Sequence, residues 1–179
     1  SGKTNFIDME GIGKTLTIEN SSATLDGNTA NITDFVGGSK LGENIFILDG
    51  NYCVKTATSF KNICTVILAD GSKNVTIELA NDIDLAGIEW PAVSTAAAFV
   101  LDGKGHTIDA DNQARVFVVN ANNVTINNVN IINAYISEGS ALYINPNFSL
   151  TTNNVNINNC SSAKGVIYVN TNGTYTSNN

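Results

Sequence analysis

Two pairs of carboxylates, Asp82 with Asp84 and Asp109 with Asp111, are each separated by a single residue. On an extended strand that spacing puts both side chains on one face, the placement that a calcium ion or an acid/base pair requires. Elimination chemistry on a uronate sugar also needs a cation to stabilise an enolate and a base to take a proton. Arg115, Lys104 and the only histidine, His106, lie nearby in the chain. If the protein is an enzyme, Asp109, Asp111, Arg115 and His106 are its catalytic candidates. Asp82, Asp84, Asp109 and Asp111 are also the residues a calcium ion could use, and no other cofactor is expected. Local composition argues against both uses. Asp102-Gly103 and Asp109-Ala110-Asp111-Asn112 have turn composition, and His106 sits in a strand-like word with Thr107 and Ile108. The expectation is therefore turn and strand-surface residues in a chain that is not an enzyme.

A second apparent motif fails on spacing. Gly11-Ile12-Gly13-Lys14-Thr15 and Ser1-Gly2-Lys3-Thr4 imitate the end of a phosphate loop, but the glycine needed five residues before Gly13 is Asp8. Leu16-Thr17-Ile18 then continues as a strand, where the mechanism needs a helix N-terminus facing the phosphates.

The elements that would position these residues follow from composition and repetition. A chain of 179 residues can bury a real core. Only 14% of it is charged, while asparagine alone occurs 28 times. A net charge of -7 excludes neutralising a run of phosphates, so nucleic acid is not an expected partner. No apolar run is long enough to span a membrane, and Ser1 to Glu10 lacks the apolar stretch of a signal peptide. Cys53, Cys64 and Cys160 have no paired metal spacing, and free buried thiols are expected rather than a disulfide.

Three words, Val116-Phe117-Val118-Val119-Asn120, Ala141-Leu142-Tyr143-Ile144-Asn145 and Val166-Ile167-Tyr168-Val169-Asn170, recur 25 residues apart. Two further series of short apolar words keep nearly the same step, including Val75-Thr76-Ile77, Phe99-Val100-Leu101 and Val124-Thr125-Ile126, and Val129-Asn130-Ile131 with Val155-Asn156-Ile157. Alternating words are half-buried strands, and turns rich in Asn and Gly separate them. One coil cannot offset its own conformational entropy, so coils must stack. The fold expected is all-β, a right-handed parallel β-helix with three-sided coils of about 25 residues. Phe117, Leu142 and Ile167 should stack inward with Val119, Ile144 and Val169, while Val118, Tyr143 and Tyr168 point outward. Asn120, Asn145 and Asn170 should form a corner ladder of stacked amides.

From Ser59 to Asp70 the rhythm changes. Phe60, Ile63, Cys64, Ile67 and Leu68 follow helical spacing, with Ser59 as N-cap and Gly71 as stop. An open solenoid end exposes apolar ladders and strand edges, so residues 59–72 read as an N-terminal amphipathic capping helix for a β-helix over 73–179. Residues 1–58 read as an irregular β segment or as preceding coils. The end at Thr174 to Asn179 falls within a coil, which reads as truncation.

The segment holding Ser59-Phe60-Lys61-Asn62-Ile63, Ile83-Asp84-Leu85-Ala86-Gly87, Trp90-Pro91 and Leu101-Asp102-Gly103-Lys104-Gly105-His106-Thr107-Ile108 resembles the opening of pectin-lyase-like β-helix domains in adhesin-like surface proteins of gut bacteria and methanogenic archaea. Gly139-Ser140-Ala141-Leu142-Tyr143 is similar to the Gly-Gly-Ala-Ile repeat of polymorphic outer membrane proteins, with Ser140 in place of the second glycine. The resemblance implies an extracellular or cell-surface, non-catalytic segment that binds a glycan or partner protein or associates with itself. The stacked outward tyrosines Tyr143 and Tyr168 are the expected ligand-binding residues. The alternatives are a polysaccharide lyase or glycoside hydrolase on the same fold, and a purely structural stalk or filament subunit.

Overall fold

Short strands joined by tight corners account for most of the computed structural model, which describes residues 6–25, 27–67, 71–94, 97–112 and 114–179. Parallel strands about 25 residues apart stack into a β-solenoid of about 7 turns, with a single α-helix among the described residues. One ladder contains Asn74–Leu79, Ala98–Asp102, Val124–Ile132, Ser149–Asn158 and Thr174–Asn178. A second contains Ile83–Asp84, Thr107–Asp109 and the far halves of the two long strands. A third contains Phe117–Val119, Leu142–Ile144 and Ile167–Val169.

The register is the one the alternation predicts. Phe117 pairs with Leu142 and Leu142 with Ile167, with Val119, Ile144 and Val169 as the second row. Phe99, Leu101, Ile108, Phe117, Ile126, Ile131, Leu142 and Ile144 are all buried in one continuous core. Each such side chain contributes about 1.5–3 kcal/mol on leaving water. In the last coil Ile167 is half-buried and Val169 is 39% exposed, because no coil of this chain lies over them.

The corners explain much of the asparagine. Nine asparagines, Asn20, Asn112, Asn123, Asn128, Asn133, Asn147, Asn154, Asn159 and Asn172, hold left-handed backbone angles. Asparagine tolerates this conformation better than most residues because its short amide bonds locally. Asn128 and Asn154 bend their long strands in the middle, so that each serves two faces in succession.

The helix spans Ala57–Ile67. Thr56, rather than Ser59, caps it: the Ser59 N–H donates to Thr56 Oγ1 at 3.1 Å, and the Thr56 N–H donates to Ser59 Oγ at 3.1 Å. This reciprocal pair is a capping box spanning four residues, with Ser59 where Glu or Gln is usual. Phe60, Ile63 and Cys64 are buried in the solenoid core, and Phe60 stacks on Trp90 with ring centroids 3.8 Å apart. The helix thus lays its apolar face on the core at its N-terminal end. The Ile67 side chain, Leu68 and Asp70 lie outside the described residues, as does the Ser1 to Thr4 imitation of a phosphate loop.

The described part of residues 1–58 shares the solenoid's sheet but keeps a small core of its own. Asn51–Val54 runs parallel to Asn74–Leu79, then pairs antiparallel with Ile45–Leu48, which is parallel to Thr15–Ile18. The reversal is a two-residue hairpin at Asp49-Gly50, whose φ values of 47° and 82° are the left-handed pair such a turn needs. Met9, Ile18, Val36, Phe46 and Cys53 are buried together beside it. Among the described residues no helix is long and apolar enough to cross a membrane.

Candidate functional site

The third ladder carries the outward tyrosines. Tyr143 and Tyr168 are directly paired, and their rings stack with centroids 5.2 Å apart and 20° between planes. Arg115, from the preceding coil, sets its guanidinium 4.4 Å from the Tyr143 ring centroid. It is held there by backbone: Nε donates to Gly139 O at 3.0 Å and Nη2 to Glu138 O at 2.5 Å. The Asn170 amide donates to the Tyr143 hydroxyl at 3.1 Å. Lys164 pairs with the Glu138 carboxylate, and this bond raises the lysine above its ordinary pKa.

This arrangement fixes what the tyrosines can offer. Tyr143 has a cation over its ring from one coil and an aromatic ring from the next, so a ligand reaches it at the ring edge. Tyr168 keeps the face turned away from Tyr143. Gly139 is required at the base of the stack: its φ is +54°, and a Cβ there would lie 3.0 Å from the Tyr168 Cβ and 2.6 Å from Leu142 O. The loop therefore packs against the foot of the stack.

The carboxylates sit elsewhere, each engaged by a turn or a neighbouring coil. Asp84 Oδ1 accepts the Ala86 N–H at 2.8 Å, and Asp109 Oδ1 accepts the Asp111 N–H at 2.9 Å and the Asn133 amide at 2.9 Å. Asp84 and Asp109 are cross-strand partners on adjacent coils. Asp82 Oδ1 accepts the Thr107 N–H at 2.8 Å and faces His106 Nδ1 at 3.3 Å. Arg115 is turned to the tyrosine face by its bonds to the Glu138 and Gly139 carbonyls. Among the described residues no group of three or more His, Cys, Asp or Glu is arranged to hold a metal ion.

The asparagine amides form ladders with a common direction. Asn154 Nδ2 donates to Asn128 Oδ1 at 3.2 Å, and Asn128 Nδ2 donates to Asp102 Oδ1 at 3.1 Å. Asn156 donates to Asn130 at 3.0 Å, and Asn130 donates to Gly105 O at 3.1 Å. A carboxylate and a backbone carbonyl accept only, so each anchor forces the amide after it to donate backward. Asn178 to Asn153 at 2.8 Å, Asn153 to Asn127 at 2.7 Å and Asn172 to Asn147 at 3.3 Å run the same way.

The expected corner ladder is only half formed. Asn145 donates to Asn120 Oδ1, but Asn170 turns to the Tyr143 hydroxyl instead of reaching Asn145. The following residue accounts for the difference. Thr171 has an N–H that donates to Asn170 Oδ1 at 2.8 Å, whereas Asn145 is followed by Pro146, which has none.

Asp102 also anchors a charged cluster. Lys104 Nζ lies 3.0 Å from Glu78 Oε1 and 3.1 Å from Asp102 Oδ2. The bond to Glu78, more than that to Asp102, raises the lysine pKa. Burial pushes the Asp102 carboxyl up, but the Lys104 N–H, the Asn128 amide and the Lys104 ammonium outweigh it and leave the pKa below its ordinary value. All three cysteines are free. Burial, with a smaller effect of Glu78, pushes the Cys53 thiol up to about 11, so it is not a nucleophile at neutral pH.

Fold and surface together define a β-solenoid with cross-coil amide ladders and a cation–aromatic stack. A scan against protein-family models finds no matching model, and searches of curated proteins and of solved structures find no match.

Proposed function

We propose that this chain is a non-catalytic, adhesin-like β-helix segment of the pectin-lyase-like type, secreted or displayed at a cell surface. It binds a glycan, a partner protein or another copy of itself through its outer faces. The observation that carries this reading is the Arg115–Tyr143–Tyr168 stack. Arg115, the cation an enolate-stabilising site would draw on, is committed to backbone carbonyls and an aromatic ring. Rigid aromatic groups backed by a fixed cation supply contact area at small entropic cost, as recognition surfaces do. The parallel pairing of Leu142–Ile144 with Ile167–Val169 holds that surface in register.

Glycan-array and cell-binding assays on the chain and on Tyr168→Ala test the reading, with light scattering to detect self-association. Binding or assembly that Tyr168→Ala weakens supports it. Cleavage of a polyuronide to unsaturated products, abolished by Asp111→Ala, together with no binding in any assay, would overturn it.

A further inference from the structure

A cleft of about 300 Å³ lies where the N-terminal unit meets the solenoid. Segment 31–36 overhangs it, held by Lys55 Nζ, which donates to Thr33 O at 2.5 Å and Val36 O at 2.8 Å. Leu48 and Ala80 supply apolar wall, and Glu78, Lys104 and His106 supply polar groups. Its volume is at the lower end of small-molecule sites, which span about 300–1,000 Å³.

The bonding capacity left in this cleft is specific. Lys104 uses two of its three ammonium protons on Glu78 and Asp102. Glu78 Oε1 takes both Lys104 and the Asn51 amide at 2.9 Å, leaving Oε2 without a partner among the described residues. His106 meets Asp82 through Nδ1, leaving Nε2. A proton donor and a carboxylate acceptor therefore stand side by side above an apolar wall. A pair of adjacent hydroxyls matches this set, because each hydroxyl both accepts and donates. The C–H face of a sugar ring suits the wall. Glu78, Asp102 and Asp82 outnumber Lys104 in negative charge, which disfavours an anionic sugar.

We propose that this cleft binds one neutral sugar residue through a vicinal diol shared by Lys104 and Glu78. The inference rests on the glycan-binding form of the function proposed above, and places recognition at a site separate from the tyrosine stack.

His106 is the only histidine, so its ring protons give isolated NMR signals that report on the cleft. The 179-residue chain is titrated with methyl galactoside, methyl glucoside, methyl mannoside and galacturonate. Saturable His106 shifts with at least one neutral glycoside, several-fold weaker with galacturonate and at least tenfold weaker in both K104M and E78Q, support the inference. Circular dichroism confirms that both variants keep the fold. No shift with any neutral glycoside, tighter binding of galacturonate, or shifts unchanged in folded K104M and E78Q would overturn it. Array or cell binding that depends on Tyr168 without any His106 shift removes the cleft and leaves the surface reading. A His106 shift in a chain that binds no cell or array supports the cleft and removes the surface reading.

Discussion

Asn128 tests the ladder and the corner at one position. It holds φ at 51°, donates to Asp102 at 3.1 Å and accepts from Asn154 at 3.2 Å. Asn128→Gly keeps the backbone conformation without strain and removes both bonds, which costs about 1–2 kcal/mol for a half-exposed pair. Asn128→Ala loses the same bonds and adds about 1–2 kcal/mol for a Cβ in the left-handed region. The totals are then about 1–2 and about 2–4 kcal/mol. Asn128→Asp keeps the acceptor for Asn154 but sets a second carboxylate against Asp102. It should be less stable than Asn128→Gly at pH 7 and recover at pH 3, where the repulsion is titrated away. Urea denaturation followed by circular dichroism reads all three. Equal midpoints for the Ala and Gly variants would refute the corner argument. An Asp variant as stable as the parent at pH 7 would refute the ladder's direction.

Other expectations follow from the same geometry. Phe117→Ala, which empties a core position touching Phe60 and Trp90, should cost about 3–5 kcal/mol in chemical denaturation. Thr56→Ala removes the helix cap and should cost about 1 kcal/mol, visible as a lower thermal midpoint. Because the folded Asp102 pKa is depressed, its contribution is complete above the unfolded value of about 3.9 and is lost as pH falls through the folded value. Asp102→Asn should therefore flatten the fall in stability below about pH 4, measured by thermal melts across that range. Lys104 is raised, so its contribution is complete below about 10.4 and fades only as pH rises through its folded value.

How far the sequence foretells the molecule depends on which residues repeat. Phe117, Leu142 and Ile167 recur at a constant step, and a parallel ladder turns that step directly into register. The helix face Phe60, Ile63, Cys64 is legible for a similar reason, its spacing being a property of one segment. Its start was displaced because Thr56 and Ser59 are both good caps, and only the reciprocal bonds separate them. Asp49-Gly50 carries a hairpin signal between Ile45–Leu48 and Asn51–Val54, but it stands outside the 25-residue repeat. Arg115 was not legible: what holds it are backbone carbonyls on the following coil, which have no sequence signature. The cleft is hidden likewise, since Lys55 and the overhang at Thr33 belong to the non-repeating part of the chain.

The one-way amide ladders give the solenoid a polarity. Asp102 and Gly105 O are fixed acceptors at the early coils, and each amide laid on them presents a fresh acceptor to the coil that follows. On the C-terminal side each ladder ends in an amide oxygen that can accept, while on the other side it ends in the Asp102 carboxylate or the Gly105 carbonyl. In the folded stack the orientation of each amide is thus set by the coil before it. A substitution at Asp102 would release Asn128 and, through it, Asn154 two coils away, carried from coil to coil by the ladder bonds.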